Sequence, residues 1–193
     1  VDPLDGTKEF VKRNGEFTVN IALVDKNTPV LGVVFAPERQ KLYFAMQGLG
    51  AYKIEDPQSI REIRQEIAGD SCSAQDLLQR SIELPIAPDG EAPYTIVGSR
   101  SHATRALEDF VAEKRRQHET VDFIPAGSSL KLCLVAEGKA HIYPRLAPTM
   151  EWDTAAGHAV VTCAGARIYK HPHGDPLIYN KEDLLNPWFV VER

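Results

Sequence analysis

Asp2-Pro3-Leu4-Asp5-Gly6-Thr7 stands at the front of this 193-residue chain, followed by the helix-like run Lys8-Glu9-Phe10-Val11-Lys12. Two carboxylates lie three positions apart across a proline, which restricts the turn expected between them. Mg²⁺ takes hard oxygen ligands and is usually held by a few carboxylates, waters and substrate phosphate. Such a turn can aim Asp2, Asp5 and the Leu4 carbonyl into one site. Gly6 lets the backbone approach a ligand closely. The Gly6 and Thr7 amides would face a phosphate at the start of the helix, and the Thr7 hydroxyl could orient a water. Taken alone, DxxD fits equally an Asp-capped helix after a turn, with no metal. The whole six-residue string is more specific.

A second string, Trp152-Asp153-Thr154-Ala155-Ala156-Gly157, lies far downstream. Asp153 is placed to cap a helix through Ala155, Ala156, Ala159, Val160 and Val161 that stops at Gly165. The small residues Ala155, Ala156 and Gly157 allow that helix to pack closely. This string too reads as a plain N-cap when taken by itself.

Together, and in this order, the two strings resemble the DPxDGT and WDxAAG signatures of the inositol monophosphatase-like superfamily of Mg²⁺-dependent phosphatases. The resemblance runs over essentially the whole chain. It implies a layered α-β-α-β-α sandwich of the sugar-phosphatase type, α/β in class, with a mixed α+β first domain over 1–92 and an α/β second domain over 93–193. It implies two or more Mg²⁺ ions per site: Asp2 bridging two metals, the Leu4 carbonyl on one, Asp5 and Asp153 on the other. Thr7, with Asp5, helps activate the attacking water, and the Gly6 and Thr7 amides hold the phosphate. The two ions would sit about 3.5–4 Å apart and clamp an in-line displacement. The superfamily also has a helical segment bearing an acidic metal ligand before DPxDGT. That segment is not among these residues, so the chain taken alone is expected to be weakly active or inactive.

Within the superfamily the chain is most similar to the 3′(2′),5′-bisphosphate nucleotidase branch, on Gly98-Ser99-Arg100-Ser101-His102, the run Gly127 to Gly138 (GSSLKLCLVAEG), and Tyr143-Pro144-Arg145. The implied reaction removes the 3′-phosphate of adenosine 3′,5′-bisphosphate to give AMP, recycling a product of sulfate assimilation. Inositol or sugar phosphates, or a non-catalytic role in binding metal and nucleotide, are the alternatives. A nucleotide with two phosphates needs cations away from the metals. Arg100, His102, Lys131 and Arg145 are the candidates, since Arg suits bidentate phosphate contacts. Ser128 is a candidate near the ribose, and Asp153 a further substrate contact. Each has a structural reading as well. Ser101 is a good cap for a helix from about 102 to 116, and Ser128 for one carrying Leu130, Cys133 and Leu134.

Composition is that of an ordinary globular protein, 43% hydrophobic and 25% charged. A net charge of −5 argues against a nucleic-acid polymer as partner but allows a nucleotide. Cys72, Cys133 and Cys163 form no CxxC and read as reduced thiols. That favours the cytoplasm, with peripheral attachment to the inner membrane face left open. No apolar run reaches the roughly 18 residues that a membrane helix needs. From Phe17 to Ile54, β-branched and aromatic runs separated by turn signals predict an antiparallel meander, of the kind covered by helices on one face. Ile60, Ile63 and Ile67 predict an amphipathic helix ended by Gly69, and Ser73 with Asp76 a capping box. Beyond a Pro- and Gly-rich linker around 85–93, strands and helices alternate, as in an α/β unit. His171-Pro172-His173 has too few partners for a zinc site and reads as a loop.

Overall fold

The computed structural model describes residues 1–86, 93–99 and 104–193. Six strands pair antiparallel in chain order: β1 (Asp2–Asp5), β2 (Thr18–Asp25), β3 (Thr28–Ala36), β4 (Lys41–Met46), β5 (Gly50–Ile54) and β6 (Ile82–Glu83). The expected meander is present to within about two residues at each strand end, and positive φ at Lys26, Gln40 and Gly48 marks its tight turns. After β1 comes a single short helical turn, α1 (Thr7–Val11).

Successive side chains of a strand point to opposite faces, so the first sheet has two. One carries Asn20, Val34, Ala36, Tyr43 and Ala45, all buried. The other carries Phe35, Leu42, Phe44 and Ile54, against which Ile60 and Ile63 of α2 (Pro57–Ala68) pack. Helices therefore cover both faces of this sheet, not the one face the meander suggested. Helix α2 starts where Asp56 accepts the Ser59 N–H at 2.7 Å, with Pro57 in the first turn, a position that needs no donor. Ile67 is 61% exposed, so only two of the three expected isoleucines face the sheet. The Ser73–Asp76 capping box opens α3 (Ala74–Gln79) as expected.

The second sheet runs β10-β11-β9-β7-β8. Its centre is parallel: β7 (Tyr94–Ser99) lies between β8 (Val121–Ala126) and β9 (Ile142–Arg145). Antiparallel β11 (Phe189–Glu192) and β10 (Arg167–Lys170) extend it. Helix α4 (Arg105–Gln117) packs Phe110 and Val111 on the Ile96, Ile142 and Val190 side. Its N-cap is Thr104, which accepts the Leu107 N–H at 3.2 Å. The expected start at Ser101 and His102 lies outside the described residues.

Between the sheets lie α5 (Leu130–Ala136) and α6 (Glu151–Cys163). One apolar cluster joins Val34, Tyr43 and Ala45 of the first sheet, Leu132 and Val135 of α5, Ala156 and Val160 of α6, and Tyr143, Phe189 and Val191 of the second. The order is thus α2, sheet, α5 with α6, sheet, α4: the five layers the resemblance implies. Helix α6 is buried from Thr154 to Val161, because a helix in a middle layer has no solvent face to make polar. Glycines set the layer spacing. A Cβ on Gly32 would stand 2.2 Å from the Ala156 carbonyl oxygen, and one on Gly157 3.0 Å from the Leu132 side chain.

A buried ion cluster pins the far end of α5 to the first sheet. Glu137 takes the Tyr43 hydroxyl at 2.5 Å and lies 3.2 Å from the Lys53 ammonium, which also meets Glu55 at 2.6 Å. Lys53 and Glu137 are both inaccessible to solvent.

Candidate active site

The loop at the front is a strand rather than the expected turn. In a regular strand, residues three apart face opposite ways. Here Asp2 pairs with Asn20 and Asp5 with Thr18, so the register slips by one residue between them. Such a bulge re-aims side chains. Cross-strand partners share a face, so both aspartates point with Asn20 and Thr18 toward the α5–α6 layer. Gly6 follows at φ 87° and ψ 47°, a left-handed conformation that glycine adopts without penalty. Its missing Cβ leaves room for Ser128.

Asp153 arrives from α6. It sits in the first turn of that helix and not at its N-cap, which is Met150. One carboxylate oxygen accepts the Met150 N–H at 2.8 Å, a carboxylate reaching back to orphan donors at a helix start. One oxygen from each of Asp2, Asp5 and Asp153 lies within 4.8 Å of the others. Among the described residues this is the one group of three or more His, Cys, Asp or Glu side chains so arranged.

Two of the three acids are harder to charge than a free carboxylate. Burial first, then repulsion from Asp5 and Asp2, pushes the Asp153 carboxyl up to about 6. The Asp2 carboxyl is also raised, by burial and then by Asp5. Hard oxygen donors whose mutual repulsion a dication would relieve are a donor set that fits Mg²⁺.

Around the trio opens a cavity of ≈ 390 Å³, whose lining includes Leu4, Gly6, Thr7, Ser128, Lys131, Tyr143, Arg145 and Trp152. Lys131 is almost wholly buried. It donates to the Ser128 carbonyl at 2.7 Å and lies over the Tyr143 ring. Burial draws its ammonium down to about 8. Arg145 donates to the Pro148 carbonyl at 2.7 Å, while its Nε is buried without a hydrogen-bond partner. Ser128 is not the expected cap. It has φ 46°, its hydroxyl is buried without a partner, and the residue before α5 is Ser129. Arg100 and His102 lie outside the described residues; Ser99, which precedes them, lines the cavity.

Over residues 1–188 the chain matches the sequence profile of the Inositol monophosphatase family. The chain belongs to this family. It is 46% identical over 192 residues to the 3′(2′),5′-bisphosphate nucleotidase CysQ of Shigella flexneri, covering 99% of this chain and 66% of that protein. The figure is 45%, with the same coverage, for the protein of that name from Escherichia coli K12. The chain thus spans 66% of the length of these curated relatives. Among solved structures, CysQ from Bacteroides thetaiotaomicron, a bacterial member of the inositol monophosphatase family, superposes with a TM-score of 0.88 at 50% identity. That match covers 100% of this chain and 68% of the other. Staphylococcal IMPase-II, at 21% identity and a TM-score of 0.71, shares the fold.

For this member of the inositol monophosphatase family, reading the sequence missed the residues around Asp5. Asp5 Oδ2 accepts the Ser129 N–H and the Ser129 hydroxyl, each at 2.7 Å, the Asn20 amide at 3.2 Å and the Thr18 hydroxyl at 3.3 Å. A signal was present. Thr18 and Asn20 are polar residues at inward positions of β2, both essentially inaccessible, and buried polar groups are there to be hydrogen-bonded.

Proposed function

We propose that the chain is the catalytic part of a Mg²⁺-dependent phosphomonoesterase that hydrolyses the 3′-phosphate of adenosine 3′,5′-bisphosphate to AMP and phosphate. The observation that supports this reading best is the convergence of three aspartates with Lys131 and Arg145 on one cavity. The nucleotidase names of its relatives at 45–46% identity agree with it. Asp2, Asp5, Asp153 and the Leu4 carbonyl would hold the Mg²⁺ ions, two or more per site, which when bound polarise the phosphoryl oxygens and lower the pKa of a bound water.

The chain's own residues then divide the work. Gly6 and Thr7 would hold the scissile phosphate through their amides, and Thr7, with Asp5, would orient the attacking water. Lys131 and Arg145 would meet the second phosphate, where a buried cation acts with little screening. Ser128 has an uncommitted hydroxyl for the ribose, and Asp153 would serve substrate as well as metal. Water adds to phosphorus as the bond to the 3′-oxygen breaks, and that oxygen leaves with a proton. Three free cysteines favour a reducing compartment, and we place the protein in the cytoplasm. No helix among the described residues is long and apolar enough to cross a membrane.

The test is phosphate release in Mg²⁺, comparing adenosine 3′,5′-bisphosphate with inositol 1-phosphate. Preference for the nucleotide, lost selectively in Lys131→Ala or Arg145→Ala, supports the reading. Preference for inositol phosphate leaves the metal core standing and rejects the substrate.

A further inference from the structure

Ser129 makes more contacts to the acidic centre than any single ligand role requires. It lies just before α5, is 1% exposed, and engages Asp5 Oδ2 twice, through its N–H and through its hydroxyl. A hydroxyl has one proton and two lone pairs. The Asn20 amide donates into one lone pair at 2.7 Å. The proton lies between two acceptors, Asp5 Oδ2 at 2.7 Å and the Asp153 carbonyl oxygen at 2.9 Å. One hydroxyl thus joins β1, β2, α5 and α6, and it binds both the side chain of Asp5 and the backbone of Asp153.

We propose that Ser129 is a positioning residue for the metal centre, one that sets the separation and aim of Asp5 and Asp153 toward a divalent cation. The inference rests on the reading of Asp2, Asp5 and Asp153 as that centre. With four donors on Asp5 Oδ2, the carboxylate cannot rotate without breaking several bonds together, and Oδ1 is the oxygen left for the ion. The tie to the Asp153 carbonyl fixes the start of α6 relative to β1. Without it, Asp5 keeps its bonds from Thr18, Asn20 and the Ser129 N–H, and Asp153 its bond from the Met150 N–H, but the hydroxyl no longer ties the one residue to the other. Partners that orient ligands in this way typically contribute about 10–100-fold to metal affinity. Asn20 belongs to the same device, because it donates to both Ser129 and Asp5. Ser129 is distinct from Ser128, which faces the cavity and makes none of these bonds.

The experiment is titration of the metal-free protein with Mn²⁺, followed by electron paramagnetic resonance of the free ion, alongside thermal unfolding in EDTA. Ser129→Ala is expected to raise the Mn²⁺ Kd about 10–100-fold, and Asn20→Ala to raise it in the same direction. The double variant should fall short of the product of the two effects, since both act through one carboxylate. Should Ser129→Ala not fold, Asn20→Ala carries the same comparison. Wild-type protein that takes up no Mn²⁺ would reject the metal centre itself. Wild-type uptake matched within about twofold by the variants, whatever their melting temperature, would reject the positioning role alone.

Discussion

Gly32→Ala joins the packing of the fold to the acidic centre. The added Cβ would lie 2.2 Å from the Ala156 carbonyl oxygen and 2.9 Å from the Ala159 Cβ. Carbon–oxygen contacts of this kind settle at about 3.3–3.6 Å, so a gap of about 1 Å must open. β3 cannot give way easily, because Gly32 is paired with Ala22 on one side and Ala45 on the other. The displacement therefore falls on α6. Replacing glycine also removes freedom from the unfolded chain, which stabilises by about 0.4–1 kcal/mol. Overpacking costs about 1–3 kcal/mol or more, so the clash outweighs the gain. The net loss, up to about 2.6 kcal/mol, lowers the melting temperature by up to about 10 °C for a chain of this length. Asp153 moves with its helix, and a shift of about 1 Å at a reacting centre can cost about 100-fold in rate. Calorimetry in EDTA and Mn²⁺ titration read the two consequences separately. A variant that melts within about 1 °C of wild type and binds Mn²⁺ unchanged would refute the view that α6 rests directly on this strand.

Three further outcomes are expected. Lys53→Met leaves the buried Glu137 with Lys139 as its remaining cation, so urea unfolding should show a loss smaller than the roughly 3–5 kcal/mol of a buried charge left unpaired; the double variant with Glu137→Gln should recover part of it, and no recovery would count against a paired cluster. Burial holds the His158 imidazole down to about 4, with Nδ1 3.0 Å from the Tyr179 hydroxyl. The unfolded chain takes up this proton near 6.5 and the fold only near 4, so its contribution is full above 6.5 and about 3 kcal/mol is lost on the way down to 4. Asp153, raised to about 6, favours the metal-free fold as pH falls over the same window, so the quantity to measure is the difference between wild type and His158→Gln, which should shrink on acidification. Divalent-cation affinity should be level above pH 7 and fall about tenfold per unit below 6, as a proton competes for Asp153; an affinity flat down to pH 5 would show that the carboxyl is not so raised.

The layers were legible because alternation in β2 to β5 and helical spacing in α2 and α5 are local patterns. The two signature strings were legible as chemistry only together, through their resemblance to the family, since each alone reads as a capped helix. What stayed hidden depends on residues far apart in the chain. The bulge in β1 exists only in its pairing with β2, so Asp2 and Asp5 read as flanking a turn. Ser129 reaches Asp5 over 124 positions, and its neighbour Ser128 looked the better cap. Lys53 and Glu137, charged residues in a strand and at a helix end, carry no local sign that they meet in the core.

The middle layer also dictates an order of assembly. Residues 18–36 leave the ribosome before α6, the helix their strands pack against, which is complete only after residue 163. Until then the inner face of the first sheet stays open to water or to chaperones. Contacts of such long range form slowly, and the acidic centre, which needs Asp153 beside Asp2 and Asp5, closes among the last. A cation that binds only the finished site cannot hurry the steps that precede it. In the cell, Mg²⁺ would act as a latch, leaving the rate of folding alone and slowing the release of α6 once it has docked.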